Sequence, residues 1–337
     1  MSNEHEGLVP PHAQIDGAKD PDRDDVTNTF RRTPDWTNDE IPKEVIGDPA
    51  QEVIQEEKGL NPEQIEEYVD LNIKLIIILN NGNLECPTDI INDLLDLNHS
   101  LELGTNQIGS NLDNINQMCS RIADSLEKMG KKDWADILRS LQSNLSNQYE
   151  ELQSMVREVV TNPPDSPTLR NMMSRMTENL RILVRYNRTK IYGQVPVESE
   201  QEREERRSEE ISSQALQARG QINDVIALCD ENIKSHRDIK NIIINLRQNV
   251  YCSDVYDIIT SLTRHPELDY LAVRILESLD DFTLKLTNLE YQSNKSAEMV
   301  RQLKDKYTEI DKKGILYLRV YLDEYADLVR RTRKSST

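Results

Sequence analysis

The sequence predicts an all-α protein, and three observations support this. Apolar residues recur at helical spacing in most stretches after residue 60. Large aromatic side chains are scarce, with two Phe and two Trp in 337 residues, so the core must be built mainly from Leu, Ile and Val. From Leu101 onward, aliphatic residues repeat every seven positions, a pattern that is buried only against another helix. The expected architecture is a disordered acidic N-terminal tail, a central coiled-coil or helical-hairpin region and a C-terminal helical bundle.

Residues 1–58 are predicted to be disordered, because they hold six prolines, an excess of acidic residues and no sustained apolar period. One segment in this tail has the composition of a short stretch that folds on a partner protein, with aromatic anchors. Its candidate partner-binding residues are Phe30, Arg31, Arg32, Trp36, Ile41 and Val45. The alternative is that two aromatic residues lie together by chance.

Short helices are predicted over residues 61–97. Asn61-Pro62 is a typical helix start, with an N-cap followed by proline at the first helical position. This helix reaches the aliphatic run 75–79, which is far shorter than the roughly 20 apolar residues that a membrane-spanning helix needs. Pro87 begins the next helix.

Residues 98–161 carry the seven-residue repeat, and Pro163-Pro164 ends it. Three interpretations fit this spacing: a core helix of a larger bundle, a hairpin within one chain that turns at Gly130, and a coiled coil between copies. On the third, the candidate self-association residues are Leu101, Ile108, Leu112, Ile115, Ile122, Leu126, Leu138, Leu145 and Leu152.

A basic amphipathic helix is predicted over residues 166–192. Its basic positions are Arg170, Arg175, Arg181, Arg185, Arg188 and Lys190, and Glu178 is its one acidic residue. In a chain of net charge -19 this is a local inversion of sign. The face could bind RNA phosphates, an acidic protein or the chain's own acidic tail, or it could simply be solvated.

The remainder is predicted to comprise a charged linker at 193–210, a helical bundle domain at 211–329 and a basic tail at 330–337. The linker could be a hinge or a solvated charged helix. The tail contains Arg330, Arg331, Arg333 and Lys334, which could form a nuclear-import or polyanion-binding cluster, although such clusters also arise by chance.

Motifs for catalysis, metal binding and phosphate binding are missing from the sequence. The five histidines have no metal-ligand spacing, and glycine-rich phosphate loops and nucleophile elbows do not occur. We therefore expect a protein without cofactor, metal or enzymatic activity. Four widely spaced cysteines and a polar N-terminus favour free thiols and a soluble intracellular protein.

This layout resembles the phosphoprotein of non-segmented negative-strand RNA viruses, and in length and basic tail that of plant-infecting rhabdoviruses. The resemblance rests on the order of four parts: the acidic tail with its aromatic segment at 30–46, the repeat at 101–159, the linker and the C-terminal helices. It implies a phosphorylated, oligomeric, non-catalytic polymerase cofactor in the cytoplasm or nucleus of an infected cell. Such a protein keeps unassembled nucleoprotein soluble and tethers the large polymerase subunit to the nucleoprotein–RNA template, without direct binding to DNA.

A cellular adaptor or trafficking scaffold built from helical bundles is the alternative class. It predicts binding of peptides or membranes and no affinity for a nucleoprotein. An enzyme with an unrecognised helical active site is a third class.

Overall fold

The computed structural model describes residues 60–193 and 198–336, with side chains described at 60–193 and 203–332. Within these ranges all regular secondary structure is helical, which confirms the predicted fold class. The helices are α1 Pro62–Asn80, α2 Thr88–Lys128, α3 Lys132–Thr161, α4 Pro167–Ile191, α5 Glu198–Val250, α6 Ser253–Leu262, α7 Asp269–Glu309, a π-helical segment Ile310–Ile315, and α8 Leu316–Ser336. The tail predicted at 1–58, with its partner-binding segment, lies outside the described residues.

Local sequence explains where several helices begin and turn. Asn61 and Gln64 form a reciprocal capping box at the start of α1, with backbone-to-side-chain distances of 2.8 and 3.0 Å. Ser166 Oγ accepts a hydrogen bond from the Leu169 amide at the start of α4. Gly130 adopts φ +76°, which lets the chain reverse between α2 and α3 at low steric cost.

The helices form four antiparallel columns in which each column packs on two neighbours. The first column is α1 followed by α2, the second is α3 followed by α4, and the third is α5. The fourth is α7, the π-helical segment and α8. The packed pairs are α2 with α3 and α7, α1 with α4 and α8, and α5 with α3, α4, α7 and α8. This is the neighbour pattern of an up-down four-helix bundle.

Two apolar cores follow one another along these columns. The first core joins α2, α3 and α6 to the second half of α5 and the first half of α7. The second core joins α1, α4 and α8 to the start of α2, the first half of α5 and the end of α7. Helices α5 and α7 therefore contribute to both cores.

A buried polar layer separates the two cores at the level where the second column is interrupted. Asn98 donates from Nδ2 to the carbonyl oxygen of Val159 at 3.4 Å, and Ser296 Oγ donates to Asn98 Oδ1 at 2.9 Å. Asn232 Nδ2 donates to the Asn162 carbonyl at 3.0 Å. The last carbonyls of a helix have no partner within it, so these amides satisfy the C-terminal end of α3.

The predicted division into separate domains is wrong for the described residues, which belong to one compact unit. Helix α2 passes through the boundary expected at 97–98, and residues 198–210 of the predicted linker are the start of α5. Glu204 and Ser208 are each 6% exposed, and Ile211 is fully buried. The spacing of these positions gives a buried helix face, and Glu, Gln and Arg have high helix propensity despite their charge. The helices at 211–329 pack on α1 to α4 and form no separate bundle.

The assignment of the heptad positions to self-association is also corrected, because all nine side chains are buried inside one chain. Each is at most 4% exposed: Leu101, Ile108, Leu112, Ile115, Ile122, Leu126, Leu138, Leu145 and Leu152. They belong to the first core, so the repeat is the inner face of a hairpin within a larger bundle. The same seven-residue spacing serves helices of one chain or of two, and the partner here is intramolecular. Self-association of the chain as such stays a prediction.

Replacement of Ile122 by Ala should destabilise the folded chain by about 2–5 kcal/mol, because it removes buried methyl groups and leaves a cavity in the first core. The measurement is urea unfolding followed by circular dichroism. Leu103→Ala is the control, since Leu103 is 49% exposed on the same helix and should change stability by less than about 0.5 kcal/mol. A loss of oligomer mass in light scattering with unchanged unfolding would show instead that this face contacts another copy.

The folded chain should become less stable as the pH falls, because His236 is buried in the polar layer. Its Nδ1 lies 2.9 Å from Ser293 Oγ. Burial, aided by the charge of Arg301, lowers the pKa of His236 from 6.5 to about 4. The unfolded chain therefore binds a proton between pH 6.5 and 4 while the folded chain does not, so stability is lost as pH falls through this window. The loss from this residue is about 3 kcal/mol.

Chemical denaturation of the wild type and of His236→Gln at several pH values measures this contribution. As the pH falls from 6.5 to 4, the unfolding free energy of the wild type should decrease by more than that of His236→Gln. His99→Gln, at an exposed position of α2, should follow the wild-type curve. Parallel curves for the wild type and His236→Gln would contradict the assignment.

Candidate functional site

The predicted basic patch on α4 is divided by the structure. Arg170 pairs with Asp165 at 2.9 Å next to the interruption between α3 and α4. Lys190 lies over the rings of Tyr186 and Tyr68, at 4.8 and 5.3 Å from their centroids. Burial lowers the pKa of Lys190 to about 8. These two side chains therefore contribute to packing, and the exposed members of the patch are Arg175, Arg181, Arg185 and Arg188.

The residues that were predicted to form a basic tail continue α8 as far as Ser336. The prediction of a separate tail is therefore wrong for these residues. Both guanidinium nitrogens of Arg331 donate to the Glu67 carboxylate on α1, at 3.0 and 2.6 Å. Arg330 pairs with Asp327 at 2.9 Å on its own helix. The side chains of Arg333 and Lys334 lie outside the described part of the chain. Half of the predicted import cluster thus makes ion pairs within the bundle.

An exposed apolar surface, which the sequence did not predict, runs across α1 and α8. We call it the α1/α8 surface and define it by Ile73, Ile77, Tyr317 and Val320, whose side chains are 51%, 50%, 50% and 45% exposed. Between the two helices lies a groove of about 230 Å³. Its lining is half apolar or aromatic and half polar: Ile77, Ile78, Tyr317 and Tyr321, with Lys74, Asn81, Asn83 and Lys313. Several exposed large apolar side chains on two neighbouring helices are typical of a binding surface.

The aliphatic run 75–79 was the sequence signal for this surface. An α-helix that packs on one side cannot bury five consecutive residues, because successive side chains point 100° apart around the axis. In α1, Leu75 and Ile78 are buried while Ile77 faces solvent. Ile73 lies one turn before Ile77 and extends the exposed row.

The π-helical segment determines where the α8 half of the surface points. Ile310, Gly314 and Ile315 are buried in this segment, whose π-helical turn holds one residue more than an α-helical turn. A Cβ on Gly314 would lie 2.1 Å from the carbonyl oxygen of Asn83, in the turn between α1 and α2. The close approach of this turn therefore requires glycine, and the wide turn rotates the face of α8 relative to α7.

Charges around the groove are arranged in pairs. Lys74 contacts Asp70 at 2.9 Å and Glu324 at 3.2 Å, and its ammonium lies 5.4 Å from the centroid of the Tyr321 ring. The hydrogen bond to Asp70 is the main reason that the pKa of Lys74 is raised. Tyr321 stacks on Tyr317 with ring centroids 6.3 Å apart. The groove thus offers aromatic and aliphatic contact area with a fixed ammonium at its edge.

The described residues lack a metal site and a membrane-spanning helix. They contain no group of three or more His, Cys, Asp or Glu side chains that could hold a metal ion. None of the helices in the described ranges is long and apolar enough to cross a lipid bilayer.

Gly314→Ala should destabilise the chain, although alanine is the better helix former by about 1 kcal/mol, because its methyl group collides with the Asn83 carbonyl. Gly220→Ala in α5 is the matched control, since no atom lies within 4 Å of the added Cβ. We expect the control to raise the thermal midpoint and Gly314→Ala to lower it. Equal increases in both variants would show that the turn does not pack on Gly314.

Comparisons of the chain with protein-family models, with curated proteins and with solved structures each found no match.

Proposed function

We propose that this chain is a non-catalytic adaptor that binds a partner protein on the α1/α8 surface. The observation that carries the proposal is the exposure of Ile73, Ile77, Tyr317 and Val320 on two helices whose opposite faces are fully packed. Helices anchored in a core hold such side chains in fixed positions, so little conformational entropy is lost when a partner binds.

The groove between α1 and α8 fits an amphipathic helix of the partner. Helix-in-groove recognition uses apolar anchors spaced by three or four residues, and Ile73 and Ile77 on α1 present the complementary spacing. Tyr317 and Tyr321 repeat that spacing on α8. Complete burial of one such side chain contributes about 1.5–3 kcal/mol, so two or three anchors would support a moderate affinity.

The more specific proposal is a viral polymerase cofactor whose partners are a nucleoprotein and the large polymerase subunit. The order of parts in the sequence supports it: an acidic segment with Phe30 and Trp36 precedes the helical part. Self-association through the heptad positions is not part of this proposal, because those positions form the first core. If copies of the chain associate, they do so through a different surface.

A cellular helical-bundle adaptor or trafficking scaffold is the second candidate. The α1/α8 surface favours it equally, because an apolar groove on a bundle suits a peptide from many kinds of partner. The two candidates differ in whether a nucleoprotein is the partner.

Co-expression with the nucleoprotein of a plant-infecting rhabdovirus tests the proposal. We expect the wild-type chain to keep the nucleoprotein soluble and free of RNA, measured by size-exclusion chromatography and the ratio of absorbance at the RNA and protein maxima. The double variant Ile77→Asp and Val320→Asp should lose most of this capture, because a charge in an apolar contact must be desolvated. Leu284→Asp is the matched control, since Leu284 is 60% exposed on α7 beside the first core.

Equal capture by the double variant and the control would contradict the assignment of the α1/α8 surface. Failure of the wild-type chain to solubilise the nucleoprotein would contradict the viral role. Liposome flotation of the same preparation then tests the trafficking scaffold, which predicts membrane association.

A further inference from the structure

We infer that the arginine row of α4, defined by Arg181, Arg185 and Arg188, binds the phosphates of a single-stranded nucleic acid, with Tyr192 as a stacking platform for a base. This inference goes beyond the adaptor function, because it concerns a different face of the bundle and a different class of ligand.

The three arginines form a regular, exposed row on α4. Its members are spaced by four and then three residues, so they lie on one face of α4 over about 10 Å. All three side chains are exposed, and Arg181 is 54% exposed. Tyr192 comes four residues after Arg188 and continues the same row, with 71% of its surface exposed. The Arg188 guanidinium lies 5.8 Å from the centroid of the Tyr192 ring.

The acidic residues of α4 itself do little to neutralise this face. Glu178 is the one acidic residue of α4, and it lies 3.5 Å from Arg181. Arg185 makes no ion pair among the described side chains, although the chain holds 60 Asp and Glu residues. Surface charges beyond about 10 Å are largely screened at 0.1 M salt, so the potential at the row depends on groups near α4 and not on the net charge of -19. Among nearby groups, Glu204 and Glu205 on α5 act electrostatically on Lys190.

Helix stability does not account for the row. Cations stabilise a helix through its dipole only within the last turn. Arg188 lies in the last turn of α4, whereas Arg181 and Arg185 lie further from its end. Arg170 and Lys190, in contrast, are held by Asp165 and by two tyrosine rings. The structure thus separates basic side chains that pack within the bundle from those that face solvent.

Side-chain chemistry favours a nucleic acid over an acidic peptide. The exposed cations of α4 are all arginines, whose planar guanidinium donates two parallel hydrogen bonds to a phosphate. An exposed aromatic ring next to arginines adds base stacking, which a carboxylate peptide does not use. Single strands expose their bases for such stacking, whereas a duplex hides them.

Fluorescence anisotropy of the full chain with a labelled oligouridylate of about 12 nucleotides tests the inference. With three phosphate contacts, the logarithm of the association constant should fall with the logarithm of salt concentration at a slope of about -2. The triple variant Arg181→Gln, Arg185→Gln and Arg188→Gln should lose this salt dependence together with most of the affinity. Tyr192→Ala should weaken binding on the order of tenfold while the slope stays unchanged.

The control is Arg121→Gln, Arg157→Gln and Arg264→Gln, which changes the net charge equally at exposed arginines outside α4. It should bind as the wild type does, and thermal unfolding checks that both triple variants are folded. A deoxyribonucleotide oligomer distinguishes the source of the phosphates: equal binding indicates phosphate and base contacts alone, and preference for RNA adds a contact to the 2′-hydroxyl.

Equal affinity of the two triple variants would overturn the inference. So would a wild-type chain that does not bind the oligonucleotide at low salt. Competition by polyglutamate as effective as competition by RNA would assign the row to an acidic protein and would also overturn it.

Discussion

The end of α3 is the constraint on which the arrangement of the bundle depends. Pro163 and Pro164 stop the helix, and carbonyl groups at its end then lie inside the protein without helical partners. Asn98 and Asn232 donate side-chain hydrogen bonds to two of these carbonyls. An unsatisfied buried carbonyl would cost about 1–3 kcal/mol, so α2 and α5 are each held at one position along α3. The polar layer thereby fixes how the two cores follow one another.

Two other columns are interrupted further along the bundle, since Gly314 follows Ser296 of the polar layer by 18 residues, about 27 Å of helix. The turn between α1 and α2 places the Asn83 carbonyl against Gly314, where the fourth column widens into its π-helical segment. The extra residue in the π-helical turn changes which side chains of the fourth column face inward. Leu303 and Tyr307 face the second core before it, and Ile315 and Leu318 do so after it. The columns thus accommodate one another through local breaks, and the exposed face of α8 follows from one of them.

The helical class and several helix ends could be predicted from the sequence, because they depend on neighbouring residues. Asn61-Pro62, Ser166-Pro167 and Pro163-Pro164 act through capping and missing amides, and the structure places helix boundaries at all three. The partner of the heptad face could not be predicted, since Ile115 and Ile122 would be buried equally well by this chain or by a second copy.

The sequence predicts a linker where α5 begins, and this prediction fails for a different reason. Its buried positions at Glu204 and Ser208 are polar, so hydrophobic periodicity does not reveal them. The candidate sites show the same dependence on tertiary context. The basic positions of α4 were visible in the sequence, but only packing separates Lys190 from Arg185. The α1/α8 surface was hidden within an aliphatic run that composition alone assigns to the core.

The placement of the two candidate surfaces has a consequence for how an adaptor would work. Helices α1 and α5 each pack on both α4 and α8, so the arginine row and the α1/α8 surface lie on helices with shared neighbours and one core. Side chains in such a core are closely packed and resist small displacements. A ligand on either surface would therefore bind helices that are held by the same packed core. Joint binding of a protein and a nucleic acid would then depend on the sizes and charges of the two ligands.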